Sequence, residues 1–152
     1  MAVADRLAEL GLVLPAVAAP AGAYVPAIAT GELVFTAGQL PFVDGRLART
    51  GLLGADVEVE EAADLAAVAA LNALAAVAGL LGGLDRVVHI VKVTGFVASA
   101  PGFTQQPAVI NGASNLLVDV FGEHGKHARS AVGVAALPLG SPVEVELIAQ
   151  FR

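Results

Sequence analysis

Arg129 is a lone cation inside an apolar, strand-like run, Ala128-Arg129-Ser130-Ala131-Val132-Gly133-Val134. A proline–glycine turn, Leu137-Pro138-Leu139-Gly140, follows it. A second alternating run comes next, Val143-Glu144-Val145-Glu146-Leu147-Ile148-Ala149. Alternation puts Glu144 and Glu146 on one sheet face and Val143 and Val145 on the other. A guanidinium fork matches a carboxylate at two points. One arginine and two glutamates on what read as paired strands therefore either make a salt bridge or hold an anionic ligand. Buried ion pairs add little stability, because desolvating each ion offsets most of the attraction.

Three further groups could do chemistry. Phe35-Thr36-Ala37-Gly38-Gln39-Leu40-Pro41 reads as a strand that ends in a glycine turn. Gly38 would let backbone N–H groups approach an oxyanion or carboxylate, or it simply makes an ordinary strand-to-loop turn. Asn111, with Asn115, lies on or near a helix and either bonds a ligand or caps a turn. His89, His124 and His127 lack the spacing of a metal site, and His89 stands in an apolar strand as a satisfied core residue would. No G-x-S-x-G elbow, P-loop or G-x-G-x-x-G fingerprint occurs. No metal or cofactor is expected.

These residues need a scaffold, and the chain punctuates it clearly. Asp5 to Leu10 reads as a short helix closed by Gly11, and Leu14 to Pro26 as an extended, Ala- and Pro-rich surface segment. Glu32 to Ala37 reads as a strand, and Asp44-Gly45 as a hairpin turn. Glu58, Glu60 and Glu61 crowd the start of a long helix that Gly82-Gly83 ends. Arg86 to Val97 is a β-branched strand, Phe103 to Phe121 a second major helix, and the two alternating runs close the chain. The order predicts an α+β fold, a mixed sheet with two helices packed on one face.

The 152 residues predict one domain, 1–152, with residues 1–20 as an N-terminal extension. Hydrophobic residues make up 57% and charged residues only 14%. So few charges cover a monomer poorly, which predicts an oligomer. A net charge of −6 and eight scattered Lys and Arg residues argue against nucleic-acid binding. Cysteine is absent, so disulfides and thiolate chemistry are excluded. Leu65 to Leu84 carries no charge over membrane-span length, but eight of its twenty residues are Ala and Asn72 interrupts it. Bulky residues spaced by three make it a packing helix rather than a membrane span. The N-terminus lacks the basic start of a signal peptide, so a cytoplasmic location is expected.

Taken together, these runs resemble the Rid family, the YjgF-like reactive-intermediate deaminases. Phe35-Thr36-Ala37-Gly38-Gln39-Leu40-Pro41 is similar to its T-S-G-Q-I/L-P block, and Ile90-Val91-Lys92-Val93-Thr94-Gly95-Phe96-Val97 to its K-x-T-V-F-V strand. Ala128-Arg129-Ser130 through Ala149 is similar to its closing A-R-x-x-V-x-V-x-x-L-P…V-E-I-E-x-I-A signature, with the arginine–glutamate spacing reproduced. The resemblance implies a chorismate-mutase-like fold, a homotrimer, and ligand clefts at the subunit junctions. It implies a hydrolytic deaminase of small 2-imino or enamine acids, giving a 2-oxo acid and ammonia. Arg129 would clamp the carboxylate and Glu144 would be the acid/base group. Gly38 would offer backbone N–H, and Tyr24 and Asn111 would line the cleft. The chain departs from the pattern at Ala37, where a small polar residue is usual, and at Ala131, where cysteine is frequent. The region from Asn111 to Gly125 differs as well. A non-catalytic trimer that binds a small carboxylate is the alternative.

Overall fold

The computed structural model describes all residues from Met1 to Arg152. Its elements run α1 (Val3–Glu9), β1 (Ala27–Thr30), β2 (Leu33–Thr36), β3 (Phe42–Val43), β4 (Arg46–Leu47), α2 (Val59–Leu81), β5 (Val87–Ala98), α3 (Gln106–Phe121), β6 (Ala128–Val134) and β7 (Val143–Phe151). The main sheet has the order β1-β2-β7-β5-β6, and β3 and β4 make a separate small hairpin. The α+β expectation holds, with α2 and α3 packed together over the sheet and short α1 against α3. Strand β1 is not legible as a strand, because Ala27-Ile28-Ala29-Thr30 directly follows the Pro-rich segment. Its pairing with β2 across a tight turn, Thr30 opposite Leu33, forms it.

One expectation is corrected. The two charged strands are not neighbours: β5 lies between β6 and β7, parallel to β6 and antiparallel to β7. The link around Pro138–Gly140 is a 3-10 turn, with Leu139 held at φ 58°, and not a hairpin. Two strand spacings are about 10 Å, which the residues between Val134 and Val143 span with ease. Period-2 patterning shows which side chains share a face, but it says nothing about which strand lies alongside.

The core forms where the helices meet one face of the sheet. Val34, Ile90, Val93, Val97, Val143, Val145, Leu147 and Ala149 point into it, all buried. α2 is 23 residues long and apolar enough to cross a membrane, but more than half of its most apolar stretch is buried inside the protein. Its alanines bring α3 close: a Cβ at Gly112 of α3 would overlap the Ala63 carbonyl of α2. On the sheet side, Ile110 of α3 fills the space over Gly95, where a Cβ would come within 2.5 Å of it. These two glycines fix the height and lateral position of α3, and hence of Pro107, Asn111 and Ser114 on its β6 side.

Asn72 is the main polar group inside α2, and its amide donates to the carbonyls of Leu40 (3.1 Å) and Phe42 (3.0 Å). That pair of bonds ties the segment just after Gly38 to the core helix. The other sheet face has no helix over it. It exposes Ile28, Phe35 and Val132 beside Thr94, Phe96, Glu144 and Glu146.

Replacing Gly112 by alanine should cost about 3 kcal/mol of stability, the upper end of overpacking penalties, because backbone rather than a flexible side chain must give way. Urea unfolding should show a lower midpoint; an unchanged midpoint would contradict this account of how α3 is seated.

Candidate functional site

Arg129 sits opposite Val93 in the β5–β6 ladder, so its side chain starts on the helix-covered face. It reaches along the edge of the sheet to α3. Nη1 donates to Asn111 Oδ1 (2.8 Å) and to Ser114 Oγ (3.2 Å), and Nη2 makes a longer bond to the Pro107 carbonyl (3.4 Å). All three acceptors are neutral. The ion pairs in the molecule are Arg6–Glu9, Arg49–Glu61 and Lys126–Glu123, so Arg129 has no acidic partner. The salt-bridge alternative raised by the sequence is thereby removed. A guanidinium has five N–H donors, and the Nε–H with one Nη2 hydrogen stays unused, an edge that suits a carboxylate.

Glu144 sits opposite Phe96, three residues along β5 from Val93, and therefore on the uncovered face. Its carboxyl lies against Gly38: a Cβ there would be 2.9 Å from Cδ and 3.0 Å from Oε2. The backbone explains the closeness. The β2–β7 ladder ends at Phe35 opposite Ile148, and Thr36 Oγ1 accepts the Leu147 N–H (3.1 Å). The chain then bows out over Ala37 and Gly38 and returns at Gln39, which exchanges both backbone bonds with Val145 (2.8 and 3.0 Å). Gly38 has no positive φ. It is glycine because the Glu144 carboxyl needs the room, and its N–H is not used by any backbone bond. Burial pushes the Glu144 carboxyl above its ordinary range, and the neighbouring Glu146 adds to the rise.

The expected site residues therefore form two groups. Arg129 and Asn111 meet at the β6 edge on the helix side, and Gly38 and Glu144 meet beside β2 and β7 on the open face. Tyr24 is exposed just before β1, at the opposite edge of the sheet, and its hydroxyl accepts the Ala21 N–H (3.1 Å). Four strand spacings, about 19 Å, separate the two edges. Asn111 is neither a cap nor a turn residue; it lies within α3 and orients Arg129. One protomer does not bring the groups together. A cavity of about 600 Å³ between Val13–Ala19, the β3–β4 hairpin and α2 is lined by neither Arg129 nor Glu144.

Sequence reasoning missed Ser114 and His127. Ser114 Oγ lies 2.9 Å from His127 Nε2, and His127 Nδ1 lies 2.6 Å from the Gly125 carbonyl. Burial lowers the His127 pKa, opposed by the Gly125 bond and helped by the charge of Arg129. A spacing signal existed: Ser114 is one helical step from Asn111, and His127 is two residues before Arg129, just ahead of β6. The other two histidines stand apart from it, ring edge to ring face at 5.9 Å. His89 Nε2 also lies 2.7 Å from the Lys126 carbonyl.

The family model described as "YjgF/chorismate mutase-like, putative endoribonuclease" matches residues 4–151. Protein TCP17 of Trypanosoma cruzi is 47% identical over 151 residues, covering 99% of this chain and 94% of its own. The crystal structure of protein Atu1372 from Agrobacterium tumefaciens superimposes with a TM-score of 0.92 at 46% identity, over 99% of this chain and 92% of that one. The structure of E. coli TdcF with bound serine gives 0.62 at 28% identity, over 92% and 96%.

Alanine at position 38 should leave the fold intact, because the displaced atoms are the free end of a flexible side chain. The melting temperature should stay within about 3 °C, the shift expected for roughly 1 kcal/mol in a domain of this size. A crystal structure of Gly38→Ala should show Glu144 in a new rotamer. An unmoved Glu144 carboxyl would contradict the packing described.

Proposed function

The chain belongs to the YjgF/chorismate mutase-like family, and on that premise we propose that it is a hydrolytic deaminase of small 2-imino or enamine acids. It acts without a metal or cofactor, in clefts between the subunits of a homotrimer. The observation that carries this is the guanidinium of Arg129: half-buried, held in place by neutral oxygens, and without an acidic partner. An anion with a planar, two-point acceptor fits that edge, and a small carboxylate has that shape.

The division of the site supports the assembly. A ligand gripped by Arg129 at the β6 edge cannot also touch Gly38, Glu144 and Tyr24 of the same protomer. It can touch those of a neighbour whose β1–β2–β7 side is brought against that edge. The uncovered sheet face, with Ile28, Phe35 and Val132 exposed, supplies the apolar area such an assembly would bury.

The reaction asks little of the protein. A protonated imine carbon is already electrophilic. Water adds to it, and the resulting carbinolamine expels ammonia and leaves the 2-oxo acid. Arg129 and Asn111 fix the carboxylate and so the position of the reacting carbon. Glu144, its pKa raised by burial, takes a proton from the attacking water and returns one to the departing nitrogen. The Gly38 N–H is an available donor to a ligand oxygen. Ala37 and Ala131 make the walls less polar than the family pattern, which favours a less polar side chain on the substrate. The word endoribonuclease in the family description finds little support in a chain of net charge −6 with its cations scattered.

Arg129→Ala should lower kcat/KM on 2-aminoacrylate generated in situ by about 100-fold or more, the usual cost of losing one half of a desolvated charge pair. The oligomer should persist. Unchanged turnover would overturn the proposal. A carboxylate that raises the melting temperature only when Arg129 is present, yet is never consumed, would replace it with the non-catalytic binding role.

A further inference from the structure

The acceptors around Arg129 form an ordered chain rather than a loose set. The Gly125 carbonyl can only accept, so His127 Nδ1 (2.6 Å away) must carry the proton. A neutral ring then offers only a lone pair at Nε2, and the Ser114 hydroxyl, 2.9 Å away, must donate to it. The Ser114 hydrogen is thereby spent. Its oxygen has nothing left to offer but lone pairs, one of which accepts Arg129 Nη1 at 3.2 Å. Without His127, the Ser114 hydroxyl could turn its hydrogen toward the guanidinium or back to its own helix, and the cradle would open.

We propose that Ser114 and His127 are positioning residues that lock the Arg129 guanidinium in its ligand-ready orientation, with His127 setting the direction of the Ser114 hydroxyl. The proposal deepens the carboxylate-clamp role of Arg129 and rests on it. Neither residue touches the ligand. Together with Asn111 they tie down both Nη1 hydrogens, so that the opposite edge of the fork is presented to the carboxylate without an acid nearby to compete for it. Preorganised donors lower the ordering cost of binding, so the pair acts on ligand affinity more than on the chemical step.

Two measurements test this. Nitrogen-15 NMR of the wild-type protein should show His127 neutral at pH 7.5 in the Nδ1–H tautomer, and Arg129 Nη groups in slow rotation. Ser114→Ala should release that rotation. In kinetics, Ser114→Ala and His127→Phe should each raise KM about tenfold, the value of one hydrogen bond to a charged group, with kcat within about twofold. Ser114→Thr, which keeps the hydroxyl, should restore KM. An Nε2–H tautomer, or an unchanged KM in Ser114→Ala, would overturn the positioning role. The failure of the clamp itself looks different: Arg129→Ala would then leave KM and kcat unaltered. Should His127→Phe fail to fold, the tautomer and Ser114→Ala decide the question.

Discussion

The proposed function rests on a cation that is held without being neutralised. Arg129 is anchored by an amide oxygen, a hydroxyl and a carbonyl, at 2.8, 3.2 and 3.4 Å. Each fixes geometry and none cancels charge. Had Glu144 or Glu146 taken that place, the fork would be a structural pair whose attraction repays desolvation and does little else. The sheet prevents it: β5 separates β6 from β7, and the registers put Arg129 and Glu144 on opposite faces. Topology thus keeps Arg129 and Glu144 apart within a protomer.

The second half of the site rests on packing rather than charge. The bow of the chain at Ala37 and Gly38 exists because Thr36 and Gln39 both hold on to β7. Glu144 fills the space that the missing side chain of Gly38 leaves. Burial against that backbone and the nearness of Glu146 make its charged form costly, the direction that the proposed acid/base role calls for. Asn72 then secures the following turn to α2. A polar residue inside an alanine-rich helix is therefore part of how the candidate site is built.

Local patterning made much of this visible in the sequence. The alternating runs, the acidic start and glycine end of α2, and the hairpin at Asp44-Gly45 all appear where periodicity and turn chemistry place them. The contact of Gly38 with Glu144 does not show in the patterning, although both residues stood out singly by type. What patterning could not reveal was neighbourhood. The strand between β6 and β7, the edge position of β1, and the contact of Ser114 with His127 all depend on which distant segments lie side by side. Two alternating strands look the same whether they pair or flank a third. Asn111 shows the intermediate case: its type marked it as a hydrogen-bonding residue, but only the seating of α3 on Gly95 shows that its partner is Arg129.

The central claim is that the working site joins the Arg129 edge of one protomer to the Glu144 face of another, and mixed oligomers address it directly. Arg129→Ala and Glu144→Gln protomers, each inactive alone, are unfolded together and reassembled in equal amounts. If the two halves come from different protomers, about a quarter of the junctions in a cyclic assembly pair an intact arginine with an intact glutamate. Roughly that fraction of wild-type turnover should return. Mixed oligomers that form, as mass spectrometry would show, and yet stay as inactive as their parents would contradict the account.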